Sequence, residues 1–202
     1  MINELQGCGD SAVTTLQANV SIPEGMTQEG HYHVVCHDKD GNFKWEDKIP
    51  NLVVAIGKQL MLDTLLKGSA YSVTGPFLGL TKVSLTPVAT DTMTTLVTTN
   101  AAEFINYTVS GSAVRGTASF ASATSTGTTP SNVTSSTASA ITYTITGAGG
   151  TVYGCFLVLG TGAVNTQSST AGTLYSEGNF SVAKATTAGD TVSVTYSTTA
   201  TS

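Results

Sequence analysis

Charge is scarce in this chain, and scarcest in its second half. Asp, Glu, Lys and Arg make up 10% of the 202 residues, against about 25% in an ordinary soluble domain. After Glu103 the only charged side chains are Arg115, Glu177, Lys184 and Asp190. Acid–base catalysis, metal binding and phosphate recognition all draw on clustered titratable groups, so this half argues for packing and assembly rather than for an enzyme. Eight basic residues and a net charge of -5 leave no patch of Lys and Arg from which nucleic-acid affinity is built. Cysteine is sparse too: Cys8, Cys36 and Cys155 are widely spaced with no CxxC pair, and read as free thiols in a reducing compartment rather than as a disulfide framework. No apolar run approaches the ~20 residues that cross a bilayer. The opening MINELQGCGDSAV shows neither the basic nor the apolar region of an export signal, so no membrane partner is expected. Without that route, the glycosylation-type triplets at Asn19, Asn106, Asn132 and Asn179 read as chance products of Thr/Ser-rich sequence.

Threonine, serine, glycine and short apolar runs fill the space that charge leaves. Hydrophobic residues at 40% exclude generic disorder, and Thr suits a pleated surface because it is β-branched. Residues 1 to 30 hold only a short apolar pattern at Val13, Leu16, Val20 and Ile22 and are expected to form an extended arm that threads along a neighbour. Residues 31–202 are expected to form one β domain. Tyr32, Val34 and Cys36 alternate with His31, His33, Val35 and His37, and Gly41 sits in the turn before Phe43, Trp45 and Asp47, which predicts a β-hairpin over 31–49. Leu52, Ile56, Leu60 and the Met61/Leu65 and Leu62/Leu66 pairs have helical spacing, so one helix is expected over 52–67, stopped at Gly68.

From 76 to 200 the pattern is all β, with a Thr/Val-rich connection through Thr99 after the first short strand. Short strands are expected at 76–80, 104–109 and 114–121, a half-buried strand through Ile141, Tyr143 and Ile145, and a strand covered on both faces from Val152 to Leu159. Strands at 174–182 and through Val192, Val194 and Tyr196 complete the set, with Ala188-Gly189-Asp190 as the turn between them. The Ser/Thr tract 121–140 is expected to be an exposed loop or weak strand. The count and spacing point to an all-β antiparallel β-sandwich.

Motifs that carry chemistry fall short one by one. His31, His33 and His37 share a strand face and offer a His-x-His pair, but His37 lies about 13 Å along the strand from His33 and does not converge on the same ion. The turn 38–42 resembles a calcium loop, yet Phe43 stands where its glycine belongs and Ile49 where its glutamate belongs. There is no G-x-S-x-G and no phosphate loop around Gly57-Lys58, and all three histidines lie before residue 38, so none follows Cys155. No catalytic, cofactor-binding or metal-binding residue is therefore expected. Trp45, Tyr71 and Tyr153 are the aromatics that could stack on a sugar, with hairpin core the plainer reading for Trp45.

Several runs together resemble a known family. Residues 38–66, DKDGNFKWEDKIPNLVVAIGKQLMLDTLL, are followed by Gly75-Pro76-Phe77-Leu78-Gly79-Leu80, by GCFLVLG at 154–160, by GTLYSEG at 172–178 and by AGDTVSVTY at 188–196. This set is similar to tailed-bacteriophage virion proteins, a family that includes capsid cement (decoration) proteins. The resemblance implies a jelly-roll type β-sandwich that binds the outer capsid surface as a homo-oligomer, a dimer or trimer. Its partner would be the major capsid protein, and its location the virion after synthesis in the host cytoplasm. The other reading carried forward is a tail-fibre or baseplate module that recognises a host surface glycan.

Overall fold

The computed structural model describes residues 27–67, 74–126, 129–133 and 140–201. Two antiparallel sheets face each other and form a β-sandwich. β1 (Thr27–His37) and β2 (Phe43–Pro50) are the expected hairpin, in register from His31 opposite Pro50 to Cys36 opposite Trp45. Its turn is held by Asp38, whose Oδ1 accepts the backbone N–H groups of Asp40 and Asn42 at 2.9 and 2.8 Å. β1 begins at Thr27 and pairs as far as Thr201, so residues 27–30, assigned above to an arm, are strand. Residues 1–26, the rest of that arm, lie outside the described residues.

The first sheet continues through β13 (Thr191–Thr201), β10 (Ile141–Ile145) and β6 (Tyr107–Thr108), in the order β2-β1-β13-β10-β6. Within the Ser/Thr tract, β8 (Thr124–Thr126) and β9 (Thr129–Val133) pair with each other, and β9 joins β13. Residues 127–128 and 134–139 of that tract lie outside the described residues. The second sheet runs β3 (Leu52–Val53), β12 (Thr173–Thr186), β11 (Gly150–Leu159), β4 (Phe77–Thr81) and β5 (Glu103–Phe104), with β7 (Gly116–Thr117) also on β4.

Two expectations shift. The helix, α1, spans Ala55–Leu66 rather than 52–67, because Leu52 and Val53 pair with Glu177 and Ser176 as β3 before the chain turns. The strands expected at 104–109 and 114–121 contract to the two-residue pairings of β5, β6 and β7, since the chain between them turns at Ser110 and Gly111, both at positive φ.

Period-two alternation places one side chain in two inside. Tyr32, Val34, Cys36, Ile141, Tyr143, Ile145, Val192, Val194 and Tyr196 face Leu78, Leu80, Val152, Cys155 and Leu157 from the opposite sheet. Tyrosines tie the layers together: the Tyr32 hydroxyl donates to the Ser176 carbonyl at 3.2 Å, and the Tyr143 hydroxyl to the Leu78 carbonyl at 2.7 Å. A buried tyrosine keeps its apolar body in the core only when its hydroxyl finds such a partner.

The outer face of the second sheet is covered as well, which explains the unbroken apolar run in β11. Phe156, Val158 and Leu174 from the sheet pack against Leu85, Met93, Leu96 and Ala102 from the connection that follows β4. Asn179 fastens that connection, accepting from the Leu85 N–H at 3.2 Å and donating to its carbonyl at 2.7 Å. Thr95–Thr99 within it forms a π-helical turn that buries Leu96. The Phe156 ring lies flat across Gly79, where any Cβ would collide with ring carbons Cε1 and Cζ. Gly79→Ala is therefore expected to destabilise the fold by about 1–3 kcal/mol through overpacking, measurable by urea unfolding; an unchanged midpoint would show that the ring can slide.

Candidate functional site

All four charges of the second half are drawn inward. Arg115, Glu177 and Asp190 are 0%, 1% and 1% exposed, and Lys184 lies mostly covered against Asp47 at 3.2 Å. Each is answered differently, and the sites they form are the most polar interior features of the molecule.

Arg115 and Glu103 make a buried fork. Arg115 Nε donates to Glu103 Oε1 at 2.8 Å and Nη2 to Oε2 at 2.7 Å. The same Nη2 donates to the Ser169 carbonyl at 2.7 Å, and the guanidinium lies 5.2 Å from the centroid of the Phe156 ring. Glu103 Oε2 also accepts the Ser168 N–H at 2.8 Å. Only arginine presents a planar set of donors able to bridge a carboxylate and loop carbonyls together. The arrangement pins residues 160–172 over β5 and β7. Both Glu103 carboxylate oxygens are thereby engaged.

Glu177 and Asp91 form a second pair of opposite logic. Glu177 projects from β12 under the connection that carries Asp91, itself 8% exposed. The two carboxyl groups are hydrogen-bonded, and burial followed by that bond and by the charge of Asp91 pushes the Glu177 pKa up to about 8. Glu177 Oε1 has no hydrogen-bond partner among the described residues, and Asp91 Oδ2 accepts the Val88 N–H at 2.8 Å. No Lys, Arg or His among the described residues forms an ion pair with either, so no cation offsets the burial of the Glu177 carboxyl. Asp91 lines an open depression of about 400 Å³ with Leu85, Thr95 and Asn100.

Asp190 closes the turn between β12 and β13, where Oδ2 accepts from Lys44 Nζ at 2.5 Å and from the Thr187 N–H at 2.8 Å. It anchors the hairpin of the first half to the last turn of the second.

The residues weighed from sequence are dispersed. His31, His33 and His37 lie on the half-exposed outer face of β1, and His33 Nε2 meets Glu46 Oε1 at 2.6 Å. Cys36 points to the opposite face and is core. Among the described residues no group of three or more His, Cys, Asp or Glu is placed to hold a metal ion. Asp38 is engaged by its own turn, and the Asn42 side chain and backbone hold its carboxyl below the usual range. Trp45 packs edge-on to Phe180 with ring centroids 5.7 Å apart, under the Lys184 ammonium. Tyr153 is half-buried and lines a separate depression with Lys82, Phe104 and Ile105. Tyr71 lies outside the described residues.

Sequence reasoning missed both buried pairs. Glu103 and Arg115 are separated by two turns, and Asp91 and Glu177 sit in different layers, so no spacing rule joins them. The available signal was scarcity, since an isolated charge in a Thr- and Ser-rich β domain has few reasons to persist other than an interior partner. Among the described residues no helix is long and apolar enough to cross a membrane. Comparison with protein-family models, with curated proteins and with solved structures returned no significant match.

Proposed function

We infer that the chain is a structural virion protein that binds the outer surface of a capsid shell as a homo-oligomer and bridges neighbouring capsid subunits. The observation that carries this reading is the inward placement of the second half's charges. It leaves β10 and β13 with an outer face of hydroxyls, in which Thr142 Oγ1 and Ser193 Oγ lie 3.2 Å apart, and Thr144, Thr195 and Ser197 continue the row. A neutral hydroxyl face costs far less to desolvate against another protein than a charged one. Many modest contacts repeated by symmetry then hold a shell without any single strong site, because avidity multiplies them. The resemblance of residues 38–66, 75–80, 154–160, 172–178 and 188–196 to a family of tailed-bacteriophage virion proteins that includes cement proteins supports the same reading. No catalytic residue is required by it.

Density for this chain in reconstructions of intact particles is the deciding measurement. Copies on the outer face of the shell, seated over junctions between capsid subunits, are the expected result. Density on the tail would overturn the reading in favour of a glycan-recognising fibre or baseplate module, and absence from the particle would overturn both.

A further inference from the structure

β2 leaves one edge of the first sheet open. It pairs with β1 and with no other strand among the described residues. The strands that end the remaining sheet edges, β3, β5, β6, β7 and β8, are two or three residues long, whereas β2 runs for eight, Phe43–Pro50. β12 passes close to it but meets it through side chains. The Trp45 indole N–H donates to the Ala185 carbonyl at 3.3 Å, and Asp47 meets Lys184 at 3.2 Å. A long open edge presents a row of unpaired N–H and C=O groups, which natural proteins shorten, cover or guard with charge. Charge of one sign guards an edge against a second copy because like charges repel across it. β2 alternates in sign instead: its register with β1 places Lys48 beside His33 and Glu46 beside Val35, both exposed on the outer face.

We propose that β2 pairs antiparallel with β2 of a second copy of this chain, joining the two first sheets into one. A two-fold axis through Asp47 sets Glu46 of each copy opposite Lys48 of the other, so both of these cross-strand pairs carry opposite charge. An axis through Glu46 would instead set Glu46 against its own twin and Lys44 against Lys48, so the charge pattern selects the register. Lys48 has no ion-pair partner among the described residues, and Glu46 meets only His33, at 2.6 Å. Asp47 falls opposite its twin on the axis, with each carboxylate already answered by its own Lys184. The axis stands perpendicular to the sheet, so both outer faces point the same way. At the ~4.8 Å strand spacing, the hydroxyl rows of the two β13 strands then lie about 24 Å apart on one surface. The inference rests on the homo-oligomer of the reading above and deepens it by naming a dimer and its seam.

Sedimentation of the full chain over about 1–500 µM tests it, a range suited to the weak affinity of a small interface. A monomer–dimer equilibrium is the expected result. Glu46→Lys and Lys48→Glu each place like charges opposite one another at both pairs, and each is expected to raise the dimer dissociation constant about tenfold. Mixing the two variants restores opposite charge at both pairs and is expected to recover the dimer as a heterodimer. Both positions are exposed, and an unchanged circular dichroism spectrum checks that the variants fold. A wild-type chain that stays monomeric throughout would overturn the proposal, as would a dimer indifferent to both variants or a mixture that fails to recover it. A monomer that still decorates the shell would overturn the dimer and spare the virion reading, whereas a dimer absent from particles would do the reverse.

Discussion

Replacing Arg115 by Met is expected to lower the unfolding free energy by about 3–5 kcal/mol, because it strips the partner from a buried carboxylate and leaves the charge uncompensated. At about 2–4 °C per kcal/mol for a chain of this size, the melting temperature falls by roughly 10 °C. Three things are lost together. Glu103 keeps only the Ser168 N–H, the Ser169 carbonyl loses its donor, and the Phe156 ring loses the guanidinium stacked on it. The pair contributes through the cost of breaking it rather than through a large net attraction. The double variant Arg115→Met/Glu103→Leu is therefore expected to recover much of the loss. Thermal unfolding of the wild type, the single variant and the double variant distinguishes the accounts, and a double variant as unstable as the single would show that packing around Arg115, not the charge, holds residues 160–172.

The stability of this protein is expected to fall as pH rises from about 4.5 to 8. Glu177 ionises near its ordinary value of 4.5 in the unfolded chain but only at about 8 in the folded one. Between those values the folded state holds a proton that the unfolded state has released, so raising the pH favours unfolding. The stabilisation is complete below the lower value and lost through the upper one, with a slope on the order of 1.4 kcal/mol per pH unit from this one group. Most proteins with ion-paired carboxylates behave in the reverse sense and weaken in acid. Glu177→Gln keeps a hydrogen-bond donor toward Asp91 without the titration, and is expected to flatten the dependence and to stabilise the protein most at pH 8 and above. Urea unfolding across this range reads the slope directly; an identical slope in Glu177→Gln would remove Glu177 as its source.

Much of the fold was legible because strands write their burial locally. The hairpin from His31 announced itself by alternation and by Gly41, and Ile141, Tyr143 and Ile145 showed a half-buried strand that the structure buries on the Ile and Tyr side and exposes on the Thr side. The continuous apolar run in β11 signalled two covered faces without saying what covers the second. Helical spacing located α1 but misjudged its start, since Leu52 satisfies that spacing and yet pairs, with Val53, as strand. The threonine- and valine-rich connection after β4 carried no period, so neither its π-helical turn nor its role as a lid over Phe156 could be read from it.

What the sequence determined by itself was the β class, the hairpin, the α-helix and the poverty of charge, all of which follow from period and composition within short windows. Tertiary structure alone decided where those few charges go. No local pattern names the partners of Arg115, Glu177 and Asp190, which are interior in the fold because groups distant in sequence arrive with them. Their arrival depends on sheet order and on which connection covers which face, quantities that no local pattern encodes.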